Sequence, residues 1–293
     1  MKVFAIKSNQ EGNKLLEKGD HLAAEQKFIK ATKQAPNWDA PWYNLGLVYK
    51  RLRKWEQSFE CNDRATRLEP KNEGAWWNLG IAATALSNWR AARFAWTNFG
   101  IELPNGEGPI EMNLGFTPIR LNPETSGEVV WCDRIDPARA IIRNVPFPTS
   151  NHRFGDLILH DGEPNGYRQF RGHEVPVFDE LELIEPSHFA TFEVVIEASN
   201  SQDRESLLDL SNERAVILEN WSKVRMLCHL CSKGRPHSEH EPQADENGPL
   251  VRYGVAAKEE SEVRTLFDEW QNGRIGCLIL ELRCVLPNDG YVG

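Results

Sequence analysis

The first third of the chain repeats its pattern every 34 residues. Three prolines mark the period: Pro36, Pro70 and Pro104. When copies 5–38, 39–72 and 73–106 are aligned, further columns hold small or apolar residues: Gly12, Gly46 and Gly80; Ala24, Ser58 and Ala92; Ala31, Ala65 and Phe99. A fixed period of this length is typical of stacked repeats. Because one hairpin cannot bury its apolar face alone, the period predicts a solenoid.

Each column has a physical reason to recur. We expect the glycines to let the two helices of a hairpin approach closely, with the small residues of the second column as the opposing surface. Trp55 and Trp89 would fill the space near the turn. A proline would end each second helix, because it lacks a backbone N–H and clashes with the preceding turn.

The first helix of the second and third copies also carries a family pattern. It contains the runs Trp42-Tyr43-Asn44-Leu45-Gly46 and Trp76-Trp77-Asn78-Leu79-Gly80. These runs resemble the tetratricopeptide repeat (TPR) pattern W-x2-L-G-x2-Y, which Tyr49 completes in the second copy. The resemblance implies an all-α TPR solenoid of three helix-turn-helix repeats. The first copy departs from it, with Ser8 and Glu11 in place of the Trp and Leu.

The same resemblance implies a concave groove lined by the first helix of each hairpin, which would bind a peptide or protein partner. The groove residues it indicates are Asn9, Asn13, Tyr43, Asn44, Leu47, Lys50, Trp77, Asn78 and Ile81. Trp77 is expected to be a binding anchor. Amides and aromatics suit an extended or helical peptide.

Some TPR proteins hold the C-terminal carboxylates of chaperone tails with two asparagines and several basic residues. Asn13 and Asn44 stand at the matching asparagine positions. The basic positions are not matched, because they hold Asn9, Gly74 and Asn78. The resemblance therefore does not imply a chaperone-tail clamp.

A solenoid end needs a polar cap. Residues 105–115 show no helical period and are not expected to supply one. We therefore expect the downstream region or a partner to cover the third repeat.

The charge of the chain is uneven along its 293 residues. Residues 1–106 hold 16 Lys+Arg and 11 Asp+Glu, a balance of +5, whereas the remainder holds 18 and 32, a balance of −14. An acidic half argues against nucleic-acid binding there, since phosphate contacts need a basic face. The mildly basic repeats favour an acidic partner or the protein's own second half.

The composition predicts a cytoplasmic protein. No run approaches the roughly 18 apolar residues of a membrane span, and the start is too short for a secretory apolar region. The six cysteines are not spaced as a disulfide framework, so reduced thiols are expected.

Beyond the repeats, two further domains are expected. Residues 107–186 show five short strands, at 128–132, 138–144, 156–160, 167–170 and 180–184, which predict a small β-barrel or sandwich. Residues 187–293 read β-α-β-β-α-β, which predicts an α+β ferredoxin-like domain. Its two middle strands are placed at 224–231 and 250–256, with 215–221 as an additional candidate. The last strand, 276–286, is expected to turn Leu278, Leu280 and Leu282 inward.

A Cys/His cluster lies between those two middle strands. Cys228, Cys231, His237 and His240 follow the spacing C-x2-C-x5-H-x2-H. Two thiolates and two imidazoles are ligands of tetrahedral zinc, and four protein ligands predict a closed, structural zinc knuckle. Two alternatives stay open: Cys228 as a core residue with the histidines on a solvated loop, and a redox C-x-x-C pair.

A second polar cluster contains His152, Arg153, Asp156, His160 and Asp161. Strand alternation would place Asp156 and His160 on one face. Imidazole and carboxylate can do acid-base work or bind a metal. The favoured interpretation is a polar strand edge and a turn, because no nucleophile or third ligand accompanies it. No catalytic residue is assigned.

Three hypotheses for function follow. The first is a non-enzymatic scaffold or interaction protein with a peptide groove and a C-terminal region stabilised by zinc. The second is a metal-dependent enzyme or regulator in residues 107–293, for which the repeats recruit substrate. A pocket exposing His152, His160 or the Cys228 cluster would favour it. The third is an immunity or inhibitor protein that uses its acidic surface.

Overall fold

The fold is described from a computed structural model. The structure describes residues 2–125, 127–170, 172–198, 200–214, 216–222 and 248–288. The chain divides into two compact units. The first is Met1–Leu114 with Arg134–Arg139, and the second is Gly115–Asp133 with Ala140–Gly293.

The first unit contains six helices in three hairpins. They are α1 (Lys2–Glu17), α2 (His21–Gln34), α3 (Asp39–Arg51), α4 (Trp55–Leu68), α5 (Glu73–Ala85) and α6 (Trp89–Phe99). Each 34-residue copy supplies one hairpin. The helix-turn-helix repeats predicted by the period are therefore confirmed.

The glycine column marks the closest approach within a hairpin. A methyl group on Gly12 would lie 2.5 Å from the ring of Phe28, and one on Gly80 would lie 2.6 Å from the indole of Trp96. The predicted small opposing residue is confirmed at Gly46, whose carbonyl accepts a hydrogen bond from the Ser58 hydroxyl at 2.9 Å. The side chain nearest to each glycine stands four positions after the predicted small residue: Phe28, Asn62 and Trp96. Glycine recurs because a bulky side chain rests on its backbone.

The proline column also has a partner in the next copy. The indole N–H of Trp42 donates to the carbonyl of Pro36 at 3.1 Å, and that of Trp76 donates to the carbonyl of Pro70 at 2.9 Å. The signature tryptophan of the second and third copies is thus hydrogen-bonded to the end of the copy before it. This hydrogen bond explains why the proline column and the tryptophan column keep the same spacing.

Extended chain, and no helix, follows the third repeat within the first unit. Arg93 of α6 donates to the carbonyls of Pro104, Gly108 and Pro109 at 2.7, 3.0 and 3.2 Å. Arg139 donates to the carbonyl of Ile110 at 2.8 Å, and its guanidinium lies 4.6 Å from the ring centroid of Trp89. Two arginines therefore hold the segments that cover this end of the solenoid.

A closed five-stranded barrel opens the second unit. Its strands, in order around the barrel, are β1 (Phe116–Arg120), β2 (Val129–Arg134), β3 (Arg139–Ile142), β4 (Leu157–His160) and β7 (Phe178–Glu185). β1 and β7 close it in parallel, with Ile119 opposite Phe178. A separate hairpin pairs β5 (Tyr167–Phe170) with β6 (His173–Pro176). The sequence analysis missed β1 and β6.

A four-stranded sheet and two helices complete the unit. The strands are β8 (Ala190–Ala198), β9 (Ile217–Asn220), β10 (Leu250–Ala257) and β11 (Cys277–Leu286), in the order β11-β8-β10-β9 with every neighbour antiparallel. Helices α7 (Ser201–Arg214) and α8 (Glu260–Gln271) contribute Leu207, Phe267 and Trp270 to its apolar core. Strand β9, at the edge of the sheet beside β10, corresponds to the additional candidate strand of the sequence analysis. The predicted strand 224–231 lies outside the described residues.

The inward set predicted for β11 was wrong for Leu278 and Leu280 and correct for Leu282. The register slips between Ile279 and Glu281, so that Leu280 is bulged out. Leu278, which precedes the bulge, and Leu280 are about half exposed, whereas Ile279 and Leu282 pack against the core. A bulge reverses the face of later residues, and strict alternation cannot anticipate it.

The barrel and the sheet meet at Trp221. Its indole N–H donates to the carbonyl of Val145 at 2.9 Å, and its ring lies against the backbone of Gly254, where a methyl group would be 2.1 Å away. The carboxylate of Glu219 accepts the Val145 N–H at 2.6 Å. Only a glycine in β10 leaves room for this indole.

Candidate functional site

Three asparagines of the predicted groove form one hydrogen-bonded cluster, the amide triad Asn9, Asn13 and Asn44. The side-chain Nδ2 of Asn44 donates to Oδ1 of Asn9 at 3.0 Å and to Oδ1 of Asn13 at 3.1 Å. Asn13 and Asn44 are partly exposed, and Asn9 is buried. The triad links α1 to α3, so residues 31 and 35 positions apart meet on the first helices of successive hairpins.

The remaining groove residues differ in accessibility. Tyr43, Leu47 and Trp77 are partly exposed. Lys50, Asn78 and Ile81 are buried, and Ile81 has no exposed surface. α5, which carries the last two, buries nine of its 13 residues. The part of the predicted groove open to a partner is therefore the α1–α3 side.

Trp77 packs within its own hairpin. Its ring meets Trp96 and Phe99 of α6 edge-on, with centroids 4.9 and 4.8 Å away. Its indole N–H is buried and finds no acceptor among the described residues. These contacts direct much of the Trp77 ring towards α6. That the exposed part of the ring anchors a partner stays a prediction.

The barrel buries an ion cluster around His152. Nε2 of His152 lies 3.0 Å from Oε1 of Glu180, and Nδ1 lies 3.5 Å from Oδ2 of Asp156. All three side chains are buried. Burial alone would lower the pKa of His152, but the two adjacent carboxylates outweigh it and raise the pKa to about 9. The imidazole is therefore a cation at neutral pH.

Both carboxylates of this cluster also accept backbone hydrogen bonds. Asp156 accepts the N–H of Ser187 at 2.7 Å and that of Arg153 at 2.8 Å. Glu180 accepts the N–H of Asn122 at 2.8 Å. These hydrogen bonds connect three loops to the barrel, so the cluster stabilises the fold of this region.

A second pair of carboxylates lies on either side of the segment after β3. Glu128 accepts the N–H of Phe147 at 3.1 Å, and Glu219 accepts that of Val145. Burial raises the pKa of Glu128 to about 7, with the charge of Glu219 adding to the shift. Burial also raises the pKa of Glu219.

The structure changes the interpretation of the second polar cluster. His152, Asp156 and His160 are buried and not at an exposed edge; His160 Nδ1 lies 2.8 Å from the carbonyl oxygen of Asp161. Arg153 turns away and donates to the carbonyl of Pro287 at 2.5 Å. Sequence reasoning missed Glu180 and Glu128, because barrel closure brings them close and no local spacing indicates it.

The predicted zinc ligands Cys228, Cys231, His237 and His240 lie outside the described residues. Within the residues that are described, no group of three or more His, Cys, Asp or Glu side chains is arranged to hold a metal ion. Nor is any described helix both long and apolar enough to cross a membrane.

Comparison with solved structures finds TPR domains. The first TPR of Spaghetti (RPAP3), bound to the HSP90 peptide SRMEEVD, is 21% identical over 34% of this chain and 79% of its own, with a TM-score of 0.33. The TPR2B domain of yeast Sti1, in complex with pHsp70, is 18% identical over 33% and 78%, with a TM-score of 0.32. The Sgt2 TPR domain of Aspergillus fumigatus is 24% identical over 32% and 63%, with a TM-score of 0.31.

No protein-family model and no curated protein matches the chain. The repeat columns and the three hairpins nonetheless agree with the resemblance on which the prediction was based. Residues 5–106 form three helix-turn-helix hairpins with a 34-residue period, which is the arrangement that the resemblance implies.

Proposed function

We propose that this protein is a non-enzymatic interaction protein that binds a peptide segment of a partner through its repeat groove. The amide triad carries the proposal. It places polar side chains from two hairpins side by side, and two of the three are accessible. Side-chain amides both donate and accept, which is what binding of a peptide main chain requires.

The neighbouring side chains complement the triad. Tyr43 and Leu47 lie on the same helix as Asn44, and both keep part of their surface exposed. Aromatic and aliphatic area beside hydrogen-bonding groups is the usual composition of a peptide-binding surface. The balance of +5 over residues 1–106 favours a partner segment with an acidic character.

An affinity capture with the full chain tests this proposal. Wild type and the double variant Asn44→Ala/Trp77→Ala are immobilised, and captured proteins are compared by mass spectrometry. Gln57→Ala is the matched control, because it removes an exposed amide from the second helix of a hairpin. Loss of partners in the double variant but not in the control supports the groove. Identical partner lists for all three proteins would count against it.

For the C-terminal sheet, we propose a ferredoxin-like arrangement. The described elements run β8-α7-β9-β10-α8-β11, and the antiparallel order β11-β8-β10-β9 places the first and third strands in the centre. The split β-α-β motif has this element order. The three-domain division at residues 106 and 186 stays a prediction.

The zinc knuckle is a separate proposal, based on the spacing of Cys228, Cys231, His237 and His240. Elemental analysis of the purified protein tests it directly. About one zinc per chain is expected, and Cys228→Ser should lower both the zinc content and the thermal stability. Protein without zinc, whose stability Cys228→Ser leaves unchanged, would refute the proposal.

The structure offers less to the enzyme hypothesis. A pocket exposing His152, His160 or the Cys228 cluster would have favoured it. Both histidines are buried, with His152 between two carboxylates, and the Cys228 cluster lies outside the described residues. The inhibitor hypothesis keeps its one argument, the balance of −14 after residue 106. A cytoplasmic location is proposed with the main function, and cell fractionation tests it.

A further inference from the structure

The last strand of the C-terminal sheet, β11, forms one edge of that sheet. It stands at the end of the order β11-β8-β10-β9, and its outer side pairs with no other described strand. We propose that this edge pairs with β11 of a second copy of the chain. The two strands would run antiparallel about a two-fold axis at Leu282 and join the two sheets into one continuous sheet.

The two edges of the sheet differ in length and in what lies beside them. β9, at the other edge, has four residues, and its Glu219 side chain is hydrogen-bonded to Asn144 and Val145 of the segment after β3. β11 has ten residues. Because a long edge presents a row of backbone donors and acceptors, it is a template for a further strand. Of the two edges, β11 offers the longer row.

The apolar core is incompletely covered along β11. Ile279 and Leu282 pack against the core and stay partly exposed. The residues opposite them in β8, Ile196 and Val194, have no exposed surface. A strand added outside β11 would cover the exposed part of these side chains. Removing apolar area from water favours such an association.

The side chains on both sides of the proposed axis are apolar. With the axis at Leu282, residues 278–280 lie opposite residues 284–286 of the second copy, and both segments consist of aliphatic residues and one cysteine. Leu278 and Leu280 are about half exposed in the single chain. Pairing would therefore bring exposed apolar side chains together along most of the strand.

The charges at the centre of β11 are self-complementary. The axis at Leu282 places Glu281 opposite Arg283 of the second copy, and the same pair recurs on the other side of the axis. Segment 281–284 keeps a regular register with β8 between the two slips, so Glu281 and Arg283 lie on one face. Their side chains are 49% and 57% exposed. Opposite charges directly across an antiparallel pair stabilise it.

The charge order of the sheet continues through this pair. Glu193 of β8 lies opposite Arg283, which it binds at 2.5 Å. Glu281 of the second copy would lie on the other side of Arg283, so that the row alternates acid, base, acid. An axis one residue away in either direction would place Glu281 opposite Glu281, or Arg283 opposite Arg283. Since facing like charges destabilise a strand pair, the charges favour the axis at Leu282.

Sedimentation velocity of the full chain tests the proposal first. Over a range from about 1 to 100 μM, the mass should rise from that of one chain to that of two. A chain that stays monomeric across this range would overturn the inference.

A charge reversal then tests the interface. Glu281→Lys places two cations opposite each other at both central pairs, so the Kd of the dimer should rise by on the order of tenfold or more. Glu205→Lys is the matched control, because it makes the same change of charge at an exposed site of α7, and it should leave the Kd unchanged. Circular dichroism confirms that both variants are folded. No effect of Glu281→Lys, or an equal effect of the control, would overturn the proposed axis.

Hydrogen exchange of the wild-type chain gives a readout that needs no variant. Amides of residues 278–286 should exchange more slowly above the Kd of the dimer than below it, because pairing satisfies the outer backbone groups of β11. Amides of β9 should exchange at the same rate in both conditions. A dimer in which the protection of residues 278–286 does not depend on concentration would place the interface elsewhere and overturn the inference.

Discussion

In the described helical hairpins, the buried polar side chains are hydroxyls and amides, with Lys50 as the exception, whereas the barrel buries Arg120, His152, Asp156 and Glu180. Hairpin contacts join residues close in sequence, so small neutral groups suffice to complete the packing. The barrel joins distant loops, and its ion cluster binds three of them through backbone hydrogen bonds. This difference teaches that one chain can complete its packing mainly with buried neutral groups in one part and with buried charges in another.

The sharpest test of this contrast removes one charge from the barrel. Asp156→Ala should destabilise the second unit by about 3–5 kcal/mol, since it leaves a buried His152 cation short of one partner. Calorimetry of the full chain measures the loss. Asp133→Ala, which breaks an exposed ion pair with Arg143, is the control and should cost less than about 1 kcal/mol. Equal losses in the two variants would contradict the contrast.

On the repeat side, the expected weak point is steric. Gly80→Ala should cost about 1–3 kcal/mol, because the new methyl group would lie 2.6 Å from fully buried Trp96. Gly108→Ala is the matched control, since nothing lies within 4 Å of the added methyl group. Urea denaturation compares the two variants. It is followed by far-UV circular dichroism at about 222 nm, where α-helices give a strong signal. A stable Gly80→Ala protein would show that the hairpin can open without penalty.

The pH dependence of unfolding should separate the units. Raised pKa values mean that the folded state holds more protons, so stability falls as pH rises. For Glu128 the fall lies between its ordinary 4.5 and about 7; for His152 it lies between 6.5 and about 9. Each group should contribute on the order of 3 kcal/mol. In the repeats, burial raises the pKa values of Tyr49 and Cys61 to about 12, outside this range.

Two variants show which group causes each of the two falls in stability with rising pH. Glu128→Gln should flatten the fall below pH 7 and leave the one above it, whereas His152→Gln should do the reverse. The measurement is the denaturation midpoint at half-unit steps from about pH 5 to 9. A profile that is unaltered in both variants would refute the assignment.

The smallest expected effect concerns a helix cap. The side chain of Asn88 accepts the N–H of Ala91 at 3.2 Å at the start of α6. Asn88→Ala should therefore cost about 1 kcal/mol, and Asn88→Asp, which keeps an acceptor, should cost much less. Thermal unfolding of both variants tests this. A larger loss in the aspartate variant would mean that charge matters in the hairpins after all.

The repeat fold was predictable because its information is local. Proline, glycine and tryptophan recur at one period, and Trp76 donates to Pro70 only six residues before it. The groove asparagines followed from the same alignment, and the structure adds the bonds between them. Their mutual hydrogen bonds could not be predicted, because the columns carry no information on which amide faces which.

The second unit was less predictable for the opposite reason. Glu180 reaches His152 only after the barrel closes, and Trp221 reaches Val145 across 76 residues. Even the regular strand β11 departs from alternation at Leu280. In each case the deciding contact lies far along the chain, where neither period nor spacing can indicate it.

The hydrogen bonds to the proline carbonyls also distinguish the last repeat from the first two. Pro36 and Pro70 each accept a hydrogen bond from a tryptophan of the following copy, but Pro104 accepts one from Arg93, which belongs to its own copy. The third copy thus supplies internally what the first two receive from a successor.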